Sequence, residues 1–270
     1  CSSLKEIIFE KKSSLKIIGS SSFENCSSLT DIMIPSSVEN IDNYSFKECS
    51  SLKEVSFVYP SSLIKIGIKS FDGCTSLIII QFLSSKSEQS KLNSIGKYAF
   101  NNCTSLKEMI IPSSVAMIGE GSFYMCISLN DIKIQSSLET IENNLFGECE
   151  SLSSIIIPTS VKTIENNSFI NCKKLTEIII PSSVESIGRY SFKGCSSLSK
   201  IEFEKISCLK EIKNNSFEKC KLLTQITIPS FVTSIGDNAF SFCSSLTQIS
   251  IPSSVTSFGY HIFDRIINSR

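Results

Sequence analysis

Apolar and polar positions alternate along this chain in an order that repeats. In the copy running from Cys243 to Phe263, Leu246, Ile249 and Ile251 are separated by polar residues, and Pro252 follows directly. Period-two alternation of aliphatic residues predicts a short strand with one buried face. Proline then suits a corner, because it lacks a backbone N–H and its φ is fixed. The next apolar pair, Val255 and Phe258 (Ile in the other units), is spaced by three and followed by Gly259. That predicts a second extended piece or tight turn, with glycine supplying a permissive backbone. A small residue then precedes a phenylalanine three positions before the next cysteine, as in Ala239-Phe240 before Cys243. Spacing of three predicts one turn of helix that returns the chain to the next strand.

The order recurs eleven times. Cysteines stand at 1, 26, 49, 74, 103, 126, 149, 172, 195, 220 and 243, mostly 23 residues apart, each with a leucine three residues later. Phenylalanine precedes the cysteines at 23, 46, 71, 100, 123, 146, 169, 192, 217 and 240, and Phe263 precedes Ile266 where the next cysteine would fall. One unit of this size cannot bury six or seven apolar positions, but stacked neighbours can, as ladders of equivalent residues along one core. The units at Cys1, Cys49 and Cys195 have two extra residues and the unit at Cys74 has six, all between the strand and the second apolar pair. Those four carry Phe9, Phe57, Phe82 and Phe203 where the others have Ile, so the larger ring is expected to fill space under a wider loop. The longest loop, Leu83 to Ser90, is expected to project furthest.

The run L-x-x-I-x-I followed by P-x-x-V-x-x-I-G-x-x-x-F-x-x-C resembles the BspA-like, or Treponema-type, class of leucine-rich repeats over essentially the whole chain. The resemblance implies a leucine-rich-repeat solenoid, a right-handed and β-dominated α/β superhelix. A parallel β-sheet would line its concave face, with short extended segments and helical turns elsewhere. Residues 1–270 would form a single solenoid, degenerate from Tyr260 to Arg270, where the cysteine and next leucine are lost. Cys1 stands in mid-pattern, so a piece of a longer chain is expected, with any leader or anchor outside it. The family's members are often displayed on bacterial or protist surfaces and linked to adhesion to host or matrix proteins.

Composition narrows the chemistry. Twenty-six basic and 26 acidic residues give a formal net charge of zero, so no basic face is offered to nucleic acid or anionic lipid. No run approaches the roughly 18 to 20 apolar residues of a membrane span, so direct membrane insertion is not expected. The cysteine ladder would place thiols about 4.8 Å apart on adjacent strands, but with parallel Cβ vectors poorly aimed for disulfides. Small buried hydrophobes are the expected role, and no C-x-x-C or Cys/His cluster indicates a metal. Cys208, off the ladder, is the candidate exposed thiol. The only histidine is His261, and no phosphate loop, G-x-S-x-G or H-E-x-x-H occurs, so neither an enzyme nor a cofactor is expected. The abundant serines recur at turn positions such as Ser36-Ser37. Five N-x-S/T triplets, at Asn25, Asn43, Asn102, Asn166 and Asn214, lean slightly toward a secreted setting.

If the Leu and both Ile of each strand point inward, the residues two and four after the Leu face solvent on the concave side. The first such column is acidic for most of its length and includes Glu108, Asp131 and Glu177. In the second, five of eleven residues are large and apolar: Ile8, Met33, Ile110, Ile156 and Ile179, with Lys133 between. Apolar residues with a charged border fit a protein-binding site; equally, β-propensity alone accounts for isolated exposed isoleucines. A polypeptide with basic residues around an apolar anchor is the expected ligand. Two function classes remain. One is a cell-surface or secreted adhesin that contacts host or matrix proteins. The other is a cytoplasmic scaffold for the cell's own proteins. An unpaired sheet edge at Cys1 to Phe9 would also favour end-to-end self-association of this piece.

Overall fold

The computed structural model describes residues 1–82 and 90–264. The projecting loop expected at Leu83 to Ser90 therefore lies, but for Ser90, outside the described residues, as does the last part of the degenerate end. The chain divides into two compact units, Cys1–Ser137 and Leu138–Arg270. Each is a parallel β-solenoid built from very short strands, and no helix occurs among the described residues.

In the first unit, the longer strands Asp31–Ile34, Glu54–Phe57 and Ile79–Ile80 pair in parallel, as do Glu108–Ile111 and Asp131–Ile134. A second parallel sheet links Ile17–Ile18, Asn40–Ile41, Lys65–Ile66, Ser94–Ile95 and Met117–Ile118 in chain order. The second unit repeats the plan. Glu177–Ile180 pairs with Lys200–Phe203, and Gln225–Thr227 with Gln248–Ser250. Thr140–Ile141, Thr163–Ile164, Ser186–Ile187, Glu211–Ile212, Ser234–Ile235 and Ser257–Phe258 form its second sheet. Register keeps equivalent motif positions opposite one another, Asp31 facing Glu54 and Ile32 facing Val55. The inserted residues leave this register intact. Val58 N–H donates to the Ile34 carbonyl at 2.9 Å and Ser62 N–H to that of Ser36 at 3.0 Å, so the extra residues are confined between them.

The expected helical turn before each cysteine is not formed, and backbone geometry explains why. Ser21 and Asn25, two residues before and after Phe23, have φ of 56° and 59°, and the pattern recurs at Tyr44 and Glu48 around Phe46. Left-handed residues on either side of the ring turn alternate N–H groups outward toward the next repeat instead of back along a helix. Ser21, Phe23 and Asn25 thus donate to the carbonyls of Asn43, Ser45 and Lys47 at 3.0, 2.8 and 2.8 Å. The three-residue spacing reflects isolated turn bonds, such as Cys26 N–H to Phe23 O at 3.1 Å and Leu29 N–H to Cys26 O at 3.0 Å.

Packing follows the same ladders. In the first unit the rings of Phe23, Phe46, Phe71, Phe100 and Phe123 stack at 5.2 to 5.5 Å. In the second, Phe146, Phe169, Phe192, Phe217 and Phe240 stack at 5.1 to 5.5 Å, and Phe263 lies 6.1 Å from Phe240. The small residue before the ring is usually serine for a reason the pattern does not reveal. Ser45 Oγ donates toward Asp42 O of its own repeat at 2.6 Å and Gly19 O of the previous one at 3.1 Å, and Ser122 does the same with Gly119 and Gly96. The glycines after the second apolar pair also need correction. Their φ is not left-handed. A Cβ on Gly96 would lie 2.6 Å from the Gly67 carbonyl carbon, and one on Gly259 would lie 2.3 Å from Asp237 N, so what these sites require is close approach between repeats.

These contacts set two expected outcomes for equilibrium urea unfolding. Phe169→Ala should cost about 3–5 kcal/mol by leaving a cavity in the stack, and Gly96→Ala about 1–3 kcal/mol by overpacking against the neighbouring repeat. Losses below about 0.5 kcal/mol, the range of ordinary surface substitutions, would contradict this packing.

Candidate functional site

Strand pleating places the candidate residues as the alternation requires wherever they lie on strands. In Asp31–Ile34 and Glu108–Ile111 exposed residues alternate with buried ones, and the same holds in Glu177–Ile180. Met33 is 60% exposed while its strand neighbours Ile32 and Ile34 are buried, and Ile8, outside any regular strand, is 80% exposed between the half-buried Ile7 and Phe9. Ile110 is also exposed, and Glu108, Asp131, Lys133 and Glu177 join it on solvent-facing positions. Ile156 is 86% exposed and Ile179 51%. The segment 153–157 forms no regular strand, but Thr176 N–H donates to Ser153 O at 3.2 Å, which sets Ile156 one repeat before Ile179 in the same register. Ile8, Met33, Glu108, Ile110, Asp131 and Lys133 thus belong to the first unit, and Ile156, Glu177 and Ile179 to the second.

Charge on this face is less uniform than the sequence column implies. Lys133 Nζ sits 3.4 Å from the Asp131 carboxylate, and Lys200 Nζ 2.8 Å from Glu202. Exposed pairs of this kind contribute little to stability, but they neutralise the acidic border locally. Among the described residues, no ion pair involves Glu6, Asp31, Glu54 or Glu108. Asp31 and Glu54 stand directly opposite each other on paired strands, an arrangement that is unfavourable between like charges.

Sequence reasoning missed hollows that lie, among the described residues, beside insertion-bearing repeats. One of about 390 Å³ is lined by Ile8, Phe9, Met33 and Val58 among others. A second, of about 210 Å³, lies against Ile79, Phe82 and Ile110. In the second unit a third, of about 420 Å³, is bounded by Phe203 and Ile206. At Phe9 and Phe203 the ring therefore fills the wider loop only in part. Phe57 and Phe82 are buried with centroids 5.7 Å apart, whereas Phe9 and Phe203 are half-buried. The signal was present in the Phe-for-Ile substitution, but volume under a loop is not readable from residue type.

The cysteines serve the fold. Ten are buried, and Cys1 and Cys208 are exposed. Ladder thiols donate to the carbonyl of the phenylalanine one rung back from the ring that precedes them in sequence, as Cys49 does to Phe23 at 3.0 Å and Cys220 to Phe192 at 3.3 Å. They are therefore donors as well as small hydrophobes. Burial pushes the Cys49 and Cys126 thiols up to about 12, and those of Cys74, Cys103, Cys172 and Cys220 well above the ordinary range. Among the described residues no group of three or more His, Cys, Asp or Glu is placed to hold a metal, and no helix is long and apolar enough to cross a membrane. The N-x-S/T triplets coincide with structural asparagines. Asn43 and Asn166 accept backbone N–H bonds from Ile68 and Arg189 at 2.8 Å, and Asn214 from Asp237 at 3.2 Å. Asn25 and Asn102 occupy left-handed turns.

The family model for the "BspA type leucine rich repeat region (6 copies)" matches residues 1–89, 84–185 and 162–269. A leucine-rich repeat protein from Bacteroides ovatus is 28% identical, with 95% of this chain and 81% of that one covered and a TM-score of 0.56. A leucine rich cell surface protein from Faecalibacterium prausnitzii is 29% identical, covers 93% of this chain and 81% of its own, and has a TM-score of 0.50. A leucine-rich repeat protein from Eubacterium ventriosum, 19% identical over 90% of this chain and 85% of that one with a TM-score of 0.50, shares the fold. No curated protein matches the chain.

Raised thiol pKa values fix a pH dependence. In the unfolded chain a thiol titrates near about 8.5, so the stability contributed by keeping these thiols neutral is complete below that pH. It is lost as pH rises toward the folded values of about 12 for Cys49 and Cys126, at up to roughly 1.4 kcal/mol per pH unit for each thiol. The urea midpoint should fall steadily from pH 9 to 11, with iodoacetamide reaching only Cys1 and Cys208 in the folded protein at pH 8. A flat profile, or alkylation of the ladder, would contradict the assignment.

Proposed function

The chain belongs to the BspA-type leucine-rich-repeat family, and from that premise we propose that it is a non-catalytic protein-binding module, displayed on the cell surface or secreted, that contacts host or matrix proteins. One observation carries the reading. Large apolar side chains stand exposed beside buried neighbours: Met33 and Ile179 on strands whose alternate residues are buried, and Ile156 between the buried Ile155 and Ile157. These side chains do not fill the core, and exposed apolar groups with charged neighbours are what protein contacts use. Surface display draws support from the likeness, at 29% identity, to a leucine rich cell surface protein.

A second reading, a cytoplasmic scaffold for the cell's own proteins, is favoured by a cysteine ladder whose thiols are buried and unbridged, since disulfides typify oxidising compartments. Buried thiols survive there as well, so this observation counts for less than the family resemblance.

Labelling intact source cells with a membrane-impermeant amine reagent separates the two. The adhesin reading predicts labelled chain from intact cells, and predicts that the double variant Ile156→Asp, Ile179→Asp lowers attachment to matrix-coated surfaces by about tenfold with an unchanged unfolding midpoint. Labelling only after lysis would remove the adhesin and leave the scaffold.

A further inference from the structure

Within the first unit, the two hollows and the acidic column form one arrangement. The larger hollow lies where the repeat of Cys1 meets that of Cys26, floored by Ile8, Phe9, Met33 and Val58 and rimmed by Glu6, Glu10 and Asp31 against one lysine, Lys11. The smaller lies where the repeat of Cys74 meets that of Cys103, with Ile79, Phe82 and Ile110 as its apolar wall and Glu108 at its border. The register Asp31 to Glu54 to Ile79 runs from one to the other across adjacent strands. Between the apolar hollows therefore stand two carboxylates without a cation among the described residues.

Spacing says what would fit. The hollows are three strand steps apart, roughly 14 Å at about 4.8 Å per step. An extended chain advances about 3.3 Å per residue, so the same span takes roughly four residues. Residues i and i+4 of an extended segment project to one side, and i+2 projects with them. We infer that the first unit takes an extended polypeptide laid across its strands, with apolar side chains at i and i+4 in the two hollows and lysine or arginine at i+2 over Asp31 and Glu54. Hollows of 390 and 210 Å³ admit a leucine-sized group each, and a cation at i+2 relieves the repulsion between the facing carboxylates. This deepens the protein-binding reading and rests on it, by naming the partner's chemistry at one place on the face.

The test uses the full chain and a fluorescein-labelled eleven-residue peptide with leucines four positions apart, arginine midway, and glycine and serine elsewhere. Anisotropy should show saturable binding. Affinity should fall about tenfold when the arginine is replaced by glutamate, when the leucines are moved to three positions apart, or when the protein carries Met33→Asp or the pair Asp31→Asn and Glu54→Gln. Circular dichroism of each variant checks that its fold is retained. Binding indifferent to spacing and charge sign, or no saturable binding at millimolar peptide, overturns the inference. If attachment still depends on Ile156 and Ile179 in that event, the protein-binding reading survives its loss; if that dependence is absent too, both fall.

Discussion

Hydrogen bonding from one repeat to the next is the constraint on which this structure depends. Among the described residues a repeat has strands of two to four residues, too short to close a sheet of their own, and no helix in which to satisfy its backbone internally. Its N–H groups are therefore spent on the neighbouring repeat, through paired strands on two sides and through the left-handed ladder around each phenylalanine on the third. Side-chain polar groups reinforce the same direction. Ser45 bridges two repeats, Cys49 donates across one, and Asn43 caps the next. Each repeat is stable because it is stacked, as one-dimensional repeat proteins generally are.

That constraint divides the positions of the unit into two populations. Inward positions, the phenylalanine and cysteine ladders and the aliphatic rows, are fixed in size and shape by the repeat above and the repeat below. Outward positions on the longer strands carry no such load, so what occupies them is open to be set by a partner. Where Lys133 and Lys200 turn onto neighbouring carboxylates, the face is locally neutral; at Asp31 and Glu54 it is not. Insertions add a second kind of variation, since the widened loop leaves a hollow beside Phe9 and Phe203 while the ladder bonds on either side hold the register.

Much of this was legible in the sequence because solenoid stacking turns a local pattern into a three-dimensional one. The eleven-fold recurrence, the alternation around Ile32 and Ile34 and the spacing of Pro35 and Val38 suffice for parallel strands, buried ladders and outward columns. What was not legible depends on backbone handedness and on volume. The Phe-Cys step reads as a helical turn because isolated three-residue turn bonds and a helical turn share a spacing, and only the positive φ at residues such as Tyr44 and Glu48 distinguishes them. Gly96 reads as a turn residue, yet its constraint is contact with Gly67, a residue 29 positions earlier. The candidate residues stand on solvent-facing positions as expected, whereas the hollows and the pairing of Lys133 with Asp131 depend on loop volume and side-chain conformation, which residue type does not encode.

The central claim is that the outward apolar column is not part of what holds the protein together. Replacing Ile8, Met33, Ile110, Ile156 and Ile179 together by threonine keeps β-propensity while removing the exposed apolar surface. The account predicts a folded protein whose urea midpoint and unfolding slope match the parent's, because surface substitutions of this kind each stay within about 0.5 kcal/mol. A loss of several kcal/mol, or a variant that does not fold, would show that these side chains are structural and would remove the main reason for reading the face as a binding surface.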